Sequence, residues 1–313
     1  MEAPLQRLAS LRSFSGPAQT VGLPDATIEA FASSDPTLVR AIEMAVSAHE
    51  NLRAEHSDDL RLPESELTTK LQDDYLNFYP SAHVNPYVAL AANGPWLVTT
   101  HGAVIHDSGG YGMLGLGHSP PEVLEVMAQP WVMANVMTPS FSQERMGKAL
   151  RAEIGHSRDG ECPFDRFLCI NSGSESVTVA ARISDINAHR QTSAGGRHEG
   201  KSIAFLGLRG GFHGRTGRPA QVSDSSVETY RSNLASFRDL DTLRIVEIND
   251  CAALKAAFAR ADDDNVFLEA MFIEPVMGEG NPGVAVTREF YDLARQLTAA
   301  NDSLLLVDSI QAG

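Results

Sequence analysis

The sequence predicts an α/β fold built on a mostly parallel sheet, and three observations predict it. From about residue 165 onward, short apolar runs of strand length alternate with amphipathic stretches of helix length, the pattern of βαβ crossovers. Helix-capping residues stand at the openings of those stretches, as at Asp250 and Thr287. The last run, Leu304 to Val307, is continuously apolar, as expected of a strand buried on both faces.

In chain order, residues 1–75 are polar and rich in Ala, Ser, Asp and Glu, with helical patches such as Pro36 to Arg53, and read as an N-terminal extension. Trp96 to Thr100, the turn His101-Gly102 and Ala103 to His106 read as a β-hairpin inside a smaller segment spanning 76–140. Pro120-Pro121 opens a helix through Glu122, Val123, Val126 and Met127. Residues 141–313 form the larger domain. Its strands are expected at Phe167 to Ile170, Ile203 to Leu206, Leu243 to Ile248, Leu268 to Val276 and Leu304 to Val307, and a long helix from Ser174 to about Gln191. Leu254, Ala257, Phe258 and Ala261 repeat at i, i+3, i+4 and i+7 behind Asp250, and Phe290, Leu293, Ala294 and Leu297 form a similar face behind Thr287.

Composition bounds the function. With 313 residues, 43% hydrophobic and 21% charged, the chain has the makings of a sizeable core. Its net charge of -15 and lack of a basic cluster argue against nucleic acid as a partner, because phosphate backbones would repel it. No run of 18 uncharged apolar residues exists to span a membrane, and the first 25 residues lack a signal-peptide core. The three cysteines, Cys162, Cys169 and Cys251, have no metal-ligand spacing and read as buried thiols of a reducing compartment. The expected location is the cytoplasm.

Five motifs carry candidate chemistry. Gly110-Gly112-Gly115 and Gly278-Gly280-Gly283 match a dinucleotide-binding glycine pattern, but the first lacks its downstream acid and the second is followed by Pro282 and an apolar stretch instead of a helix. Asn171 to Ser176 follows an apolar run and opens a helix. Gly173 and Ser174 there suit a phosphate at the free amides, although an ordinary cap needs no ligand. Asp308 stands at the carboxyl end of the last strand, where α/β sheets bind ligands; capping of a following helix is its plainer explanation. Glu274 to Gly280 brings Glu274 and Glu279 to another strand end, and Gly211 to Thr216 pins Phe212 and His213 between glycines.

In this order, and together with the Gly117-His118-Ser119-Pro120 turn, these segments resemble the class III (ω-amino acid) aminotransferases, pyridoxal-phosphate enzymes of fold type I, over about residues 85–313. The resemblance implies that Gly173 and Ser174 hold the cofactor phosphate, Phe212 and Ile310 pack on the two faces of its ring, Asp308 pairs with the ring nitrogen and Gln311 bonds the ring hydroxyl. It places His213 beside the ring without a defined role, and Glu274 and Glu279 on the substrate side, Glu279 as a gate carboxylate that pairs with a C-terminal arginine. It further implies transfer of an amino group from an amine or amino acid donor to a 2-oxo acid, in a homodimer. A racemase, mutase or decarboxylase on the same scaffold, or a non-catalytic relative, are the alternatives.

Two departures stand out: Ser309 stands where the family usually has Glu or an equivalent polar residue after the aspartate, and Ser176 to Val179 replace the more typical Ala and Asn. The family's catalytic lysine lies some tens of residues beyond the aspartate, and none of Lys70, Lys148, Lys201 and Lys255 occupies that place. The chain is thus expected to be the N-terminal part of a longer enzyme, inactive alone.

Overall fold

Prolines and acidic caps start the N-terminal helices. A computed structural model describes residues 3–76, 81–108, 115–132, 137–155 and 162–312, and the chain divides into two units, Met1–Met133 and Ala134–Gly313. Helix α1 (Pro4–Phe14) begins on its proline, α2 (Asp25–Ala32) has an acid in its first turn, and α3 (Pro36–Glu55) is capped by Asp35, which accepts the Thr37 N–H at 2.9 Å. Short helices α4 (Ser57–Leu60) and α5 (Glu64–Gln72) follow. Strands β1 (Ala89–Asn93), β2 (Trp96–Thr99) and β3 (Val104–His106) form an antiparallel meander that contains the expected hairpin.

The texture of the sequence separates residues 1–75 from 76–140, but the packing joins them. Leu8, Leu11, Ile28, Leu38 and Ile42 share one core with Trp96, Val98 and Val104. The apolar faces of α1 to α3 have the hairpin to cover, so this stretch is no loose extension. Asp35 links the two layers, because its second oxygen accepts from Trp96 Nε1 at 2.7 Å. Helix α6 (Pro121–Met127) follows Pro120 as expected and buries none of its residues.

The second unit contains α7 (Phe141–Gly155), α8 (Gly173–Thr192), β4 (Ser202–Leu208), α9 (Gly217–Gln221), α10 (Asp224–Asn233), β5 (Leu243–Val246), α11 (Cys251–Asp263), β6 (Val266–Ile273), α12 (Arg288–Ala300) and β7 (Leu304–Val307). The four strands are all parallel, in the order β5-β4-β6-β7. Asp250 and Thr287 cap α11 and α12 through Ala253 N–H and Phe290 N–H, and the expected apolar faces of both helices bury Leu254, Ala257, Phe258, Phe290 and Ala294. One cluster packs these helices on Leu206, Leu208, Met271 and Ile273; another packs Val177, Ala181 and Val227 on Phe205, Ala270 and Phe272. Successive strand residues point to opposite faces, so both faces of the sheet are filled.

Three expectations need correction. Phe167 to Ile170 forms no strand and pairs with no described strand, and Leu168 is 62% exposed. Cys169 within it is therefore exposed, and Cys162 and Cys251 are half-buried, so none is the buried thiol the sequence suggested. Leu304 to Val307 is a strand, but among the described strands it pairs with β6 alone and is only partly covered; β6, with described neighbours on both sides, is buried throughout. Among the described residues no helix is long and apolar enough to cross a membrane.

Asp35 ties a helix cap to the hairpin, and burial, which disfavours its charge, is outweighed by hydrogen bonds from Thr37 and Trp96 that hold its carboxyl below the usual range. Asp35→Ala should cost about 1–2 kcal/mol in urea unfolding at neutral pH. A depressed folded-state value gives stability present above the unfolded carboxylate value and lost as pH falls through the folded one. The difference between Asp35→Ala and the parent should therefore shrink below about pH 4.

Candidate active site

Parallel pairing brings the carboxyl ends of β4, β6 and β7 to one edge of the sheet, and the loops leaving them meet the start of α8 there. Ser172, Gly173, Ser174, Phe212, His213, Gly214, Arg215, Glu274, Asp308, Ile310 and Gln311 line a cavity of about 220 Å³ at that edge. Of the nine residues picked out in the sequence, only Glu279 is outside this lining, and it contacts the lining through Arg215.

At the start of α8, Ser172 Oγ accepts the Glu175 N–H at 3.2 Å, and Glu175 returns a carboxylate oxygen to Asn171 N–H at 3.1 Å. The ordinary cap is therefore present. It serves Glu175, and the amides of Gly173 and Ser174 at the first two helical positions have no intrahelical acceptor. Gly173 is a steric requirement, because a Cβ there would come within 2.5 Å of Ile310 Cδ1. Ser174 Oγ accepts from Arg215 N–H at 3.3 Å, which joins the helix start to the aromatic loop. That loop runs tight against it: Gly214 adopts φ 121°, and a Cβ there would meet Ser174 Oγ at 2.6 Å.

The buried centre of the site is a chain of polar groups. Asp308 is 8% exposed, and its Oδ2 lies 3.0 Å from His213 Nδ1 while its Oδ1 accepts Ile310 N–H at 3.2 Å. Residues 310–312 form a turn, and Asp308 accepts the Ile310 N–H there while also lining the cavity. A carboxylate can only accept, so its contact with His213 puts a proton on Nδ1. His213 Nε2 is buried with no hydrogen-bond partner among the described residues. The ring leans on Phe272, and the His213 N–H donates to Ser223 Oγ at 2.8 Å.

Glu274 accepts the amides of Phe212 at 2.9 Å and Gly278 at 2.8 Å. Burial pushes its carboxyl up, against the lowering effect of those two bonds and of His213, and with a further push from the Asp308 charge. Glu274 and Asp308 are neighbours because Ile273 pairs with Val307 in the sheet, so each is the next residue out on its strand.

Glu279 is paired, and its partner here is Arg215: one guanidinium nitrogen lies 2.9 and 3.1 Å from the two carboxylate oxygens. The Arg215 guanidinium carbon also stands 5.1 Å from the Phe212 ring centroid. The sequence offers no role for Arg215, and the family resemblance expects the partner of Glu279 to be a C-terminal arginine. Gln311 Oε1 accepts the Glu279 N–H at 2.9 Å, so in this structure it braces the carboxylate loop, close against Gly278.

Other candidates lie elsewhere. His118 of the Gly117 to Pro120 turn pairs with Asp107 at 3.0 Å in the first unit. The Gly278-Gly280-Gly283 pattern forms a strand-like return, with Val276 bridged to Ala285, so no helix opens on it. Gly110 and Gly112 of the other glycine pattern lie outside the described residues. Ser223, which holds the His213 amide, had no signal in the sequence.

Comparison with known proteins identifies the architecture. The family model for aminotransferase class-III matches residues 78–313. An acetylornithine aminotransferase from Xanthomonas axonopodis pv. citri is 31% identical over 210 residues, covering 66% of this chain and 46% of that protein. A glutamate-1-semialdehyde 2,1-aminomutase from Rhodopirellula baltica is 28% identical over 229 residues, covering 71% and 46%. The chain thus spans about half the length of the relatives it matches. In fold, it resembles an ornithine aminotransferase from Toxoplasma gondii, described with partial occupancy of PLP at its active site, at TM-score 0.63 and 24% identity over 84% of this chain and 57% of the other. The chain belongs to the class III aminotransferases, a family whose cofactor is pyridoxal phosphate.

Proposed function

We propose that this chain is the cofactor-binding part of an aminotransferase that moves an amino group from an amine or amino acid donor to a 2-oxo acid. The observation that supports this most directly is the shared cavity of the Gly173 turn and Asp308, which lie far apart in the chain. The residues present suit pyridoxal phosphate. The helix-start residues Gly173 and Ser174, the buried carboxylate of Asp308 and the apolar side chains of Phe212 and Ile310 line one cavity.

Gly173 and Ser174 would hold the phosphate, Phe212 and Ile310 the ring faces, Asp308 the ring nitrogen and Gln311 the ring hydroxyl. When bound, the cofactor supplies an electron sink for charge that develops on the substrate carbon beside the amine. The chain's own groups do the orienting. His213 donates from Nδ1 to Asp308 and so fixes which way the carboxylate faces. Glu274 holds the Phe212 amide and with it the aromatic wall. Glu279 pairs with the Arg215 guanidinium and so ties the carboxylate loop to the aromatic loop. The family resemblance also supports a homodimer. Because glutamate-1-semialdehyde aminomutases are among the relatives, internal amino exchange on one substrate is the second reading. Product analysis separates it from transfer between two substrates.

Asp308→Asn removes a charge-assisted bond worth about 1.5–3 kcal/mol, so titration with pyridoxal phosphate should show roughly ten- to hundredfold weaker binding. Parental affinity in a folded Asp308→Asn would sink the ring-nitrogen role. No lysine lines the cavity, and Lys70, Lys148 and Lys201 are each paired with an acid elsewhere. We therefore expect the 313-residue chain to bind the cofactor reversibly and to transfer no amino group. Borohydride treatment should leave the cofactor dialysable; a reduced adduct on a lysine of this chain, or turnover, would overturn that expectation.

A further inference from the structure

Away from the cavity, the second unit gathers another set of charges around one buried carboxylate, with Arg218 half-buried and Asp185 exposed. Glu269, with a side chain 1% exposed, accepts at Oε1 from Ser184 Oγ at 2.7 Å and from an Arg218 terminal nitrogen at 2.9 Å. The other terminal nitrogen of Arg218 meets Asp185 at 2.6 Å, and the guanidinium carbon lies 5.0 Å from the Phe205 ring centroid. Glu269 reaches this side of the sheet through a bulge. Ala204 pairs with Leu268 and Phe205 with Ala270, so Glu269 is the additional residue and turns toward α8.

Stability does not account for the arrangement. Burial pushes the Glu269 carboxyl up, with Ser184 and Arg218 acting against it. The buried atoms Glu269 Oε2 and Arg218 Nε have no hydrogen-bond partner among the described residues. Apolar side chains of the same volume would serve folding as well or better. What the ion set has and apolar packing lacks is direction, since each contact fixes an angle as well as a distance.

Its anchor points are the elements that build the cavity. Asp185 and Ser184 lie on α8, whose first residues are the phosphate cup, and Glu269 lies on β6, which delivers Glu274. Arg218 lies on α9, directly after the Phe212 to Arg215 loop. From α9 the connection to that loop is short. Ser223 Oγ lies 2.8 Å from the carbonyl of Pro219 and 3.2 Å from that of Gly214, and it accepts the His213 N–H.

We infer that Arg218 is a positioning residue: by holding Glu269 and Asp185 at once, it sets α8, α9 and β6 relative to one another, and so places the phosphate cup, His213 and Glu274. Its bearing on the cofactor rests on the function proposed above; its bearing on the loop geometry does not.

The test compares the parental chain with Arg218→Met and with the double variant Arg218→Met/Glu269→Leu. Melting temperature, hydrogen exchange at the Phe212 and His213 amides, and pyridoxal phosphate affinity are measured for each. Arg218→Met alone leaves Glu269 buried without its cation and should melt well below the parent. The double variant should regain a melting temperature near the parental one, yet exchange both amides about tenfold faster and bind pyridoxal phosphate about tenfold more weakly. Parental exchange rates in the double variant would overturn the inference. Faster exchange in the double variant, with no cofactor binding even by the parent, would uphold the positioning role and remove the cofactor reading instead. If the double variant does not fold, Glu269→Gln keeps the shape and the Ser184 contact; it should exchange these amides about threefold faster, and parental rates there would be equally decisive.

Discussion

A carboxylate that loses its water at the end of a strand needs donors, and here that need binds three chain segments into one wall. Asp308 takes a proton donor from His213 and another from the Ile310 amide. His213 can reach it only because Phe272 supports its ring and Ser223 holds its backbone. Glu274, one strand over, takes up the Phe212 and Gly278 amides in turn. A buried group deprived of its partner costs about 1–3 kcal/mol, so each loop is held where its neighbour needs it.

The parallel sheet makes this convergence inevitable. All four strands run the same way, so every strand-end residue that carries chemistry arrives at the same edge. The register then sets Glu274 and Asp308 side by side, two acids whose mutual repulsion the intervening imidazole relieves. β6 occupies a central place in the order and is buried throughout, which is why a bulge and a buried charge within it reach both α8 and the cavity loops. Among the described strands β7 pairs with β6 alone, so Asp308 grows from a partly covered strand of the sheet yet is itself buried by loops.

Arg215 and Arg218, three positions apart, divide the work of charge between them. Arg215 faces the cavity, paired with Glu279 above the Phe212 ring. Arg218 points away from it into the layer between α8 and β6. The first lines the cavity, and the second is half-buried against the Glu269 carboxylate.

Much of this was legible in the chain. Caps at Asp250 and Thr287, the apolar faces behind them and the order of strand-end motifs are local patterns, because helix starts and side-chain periodicity depend on residues within a turn or two. Caps and periodicity gave the α/β pattern, and the order of the strand-end motifs carried the resemblance to the family. What tertiary structure alone decided was partnership. Whether Phe167 to Ile170 becomes a strand depends on a neighbour to pair with, and whether Leu304 to Val307 is central or peripheral depends on strand order. The pairs His213 with Asp308, Arg215 with Glu279 and Arg218 with Glu269 join residues far apart in the chain. Their choice follows from which loops the sheet brings together, and no periodicity records that.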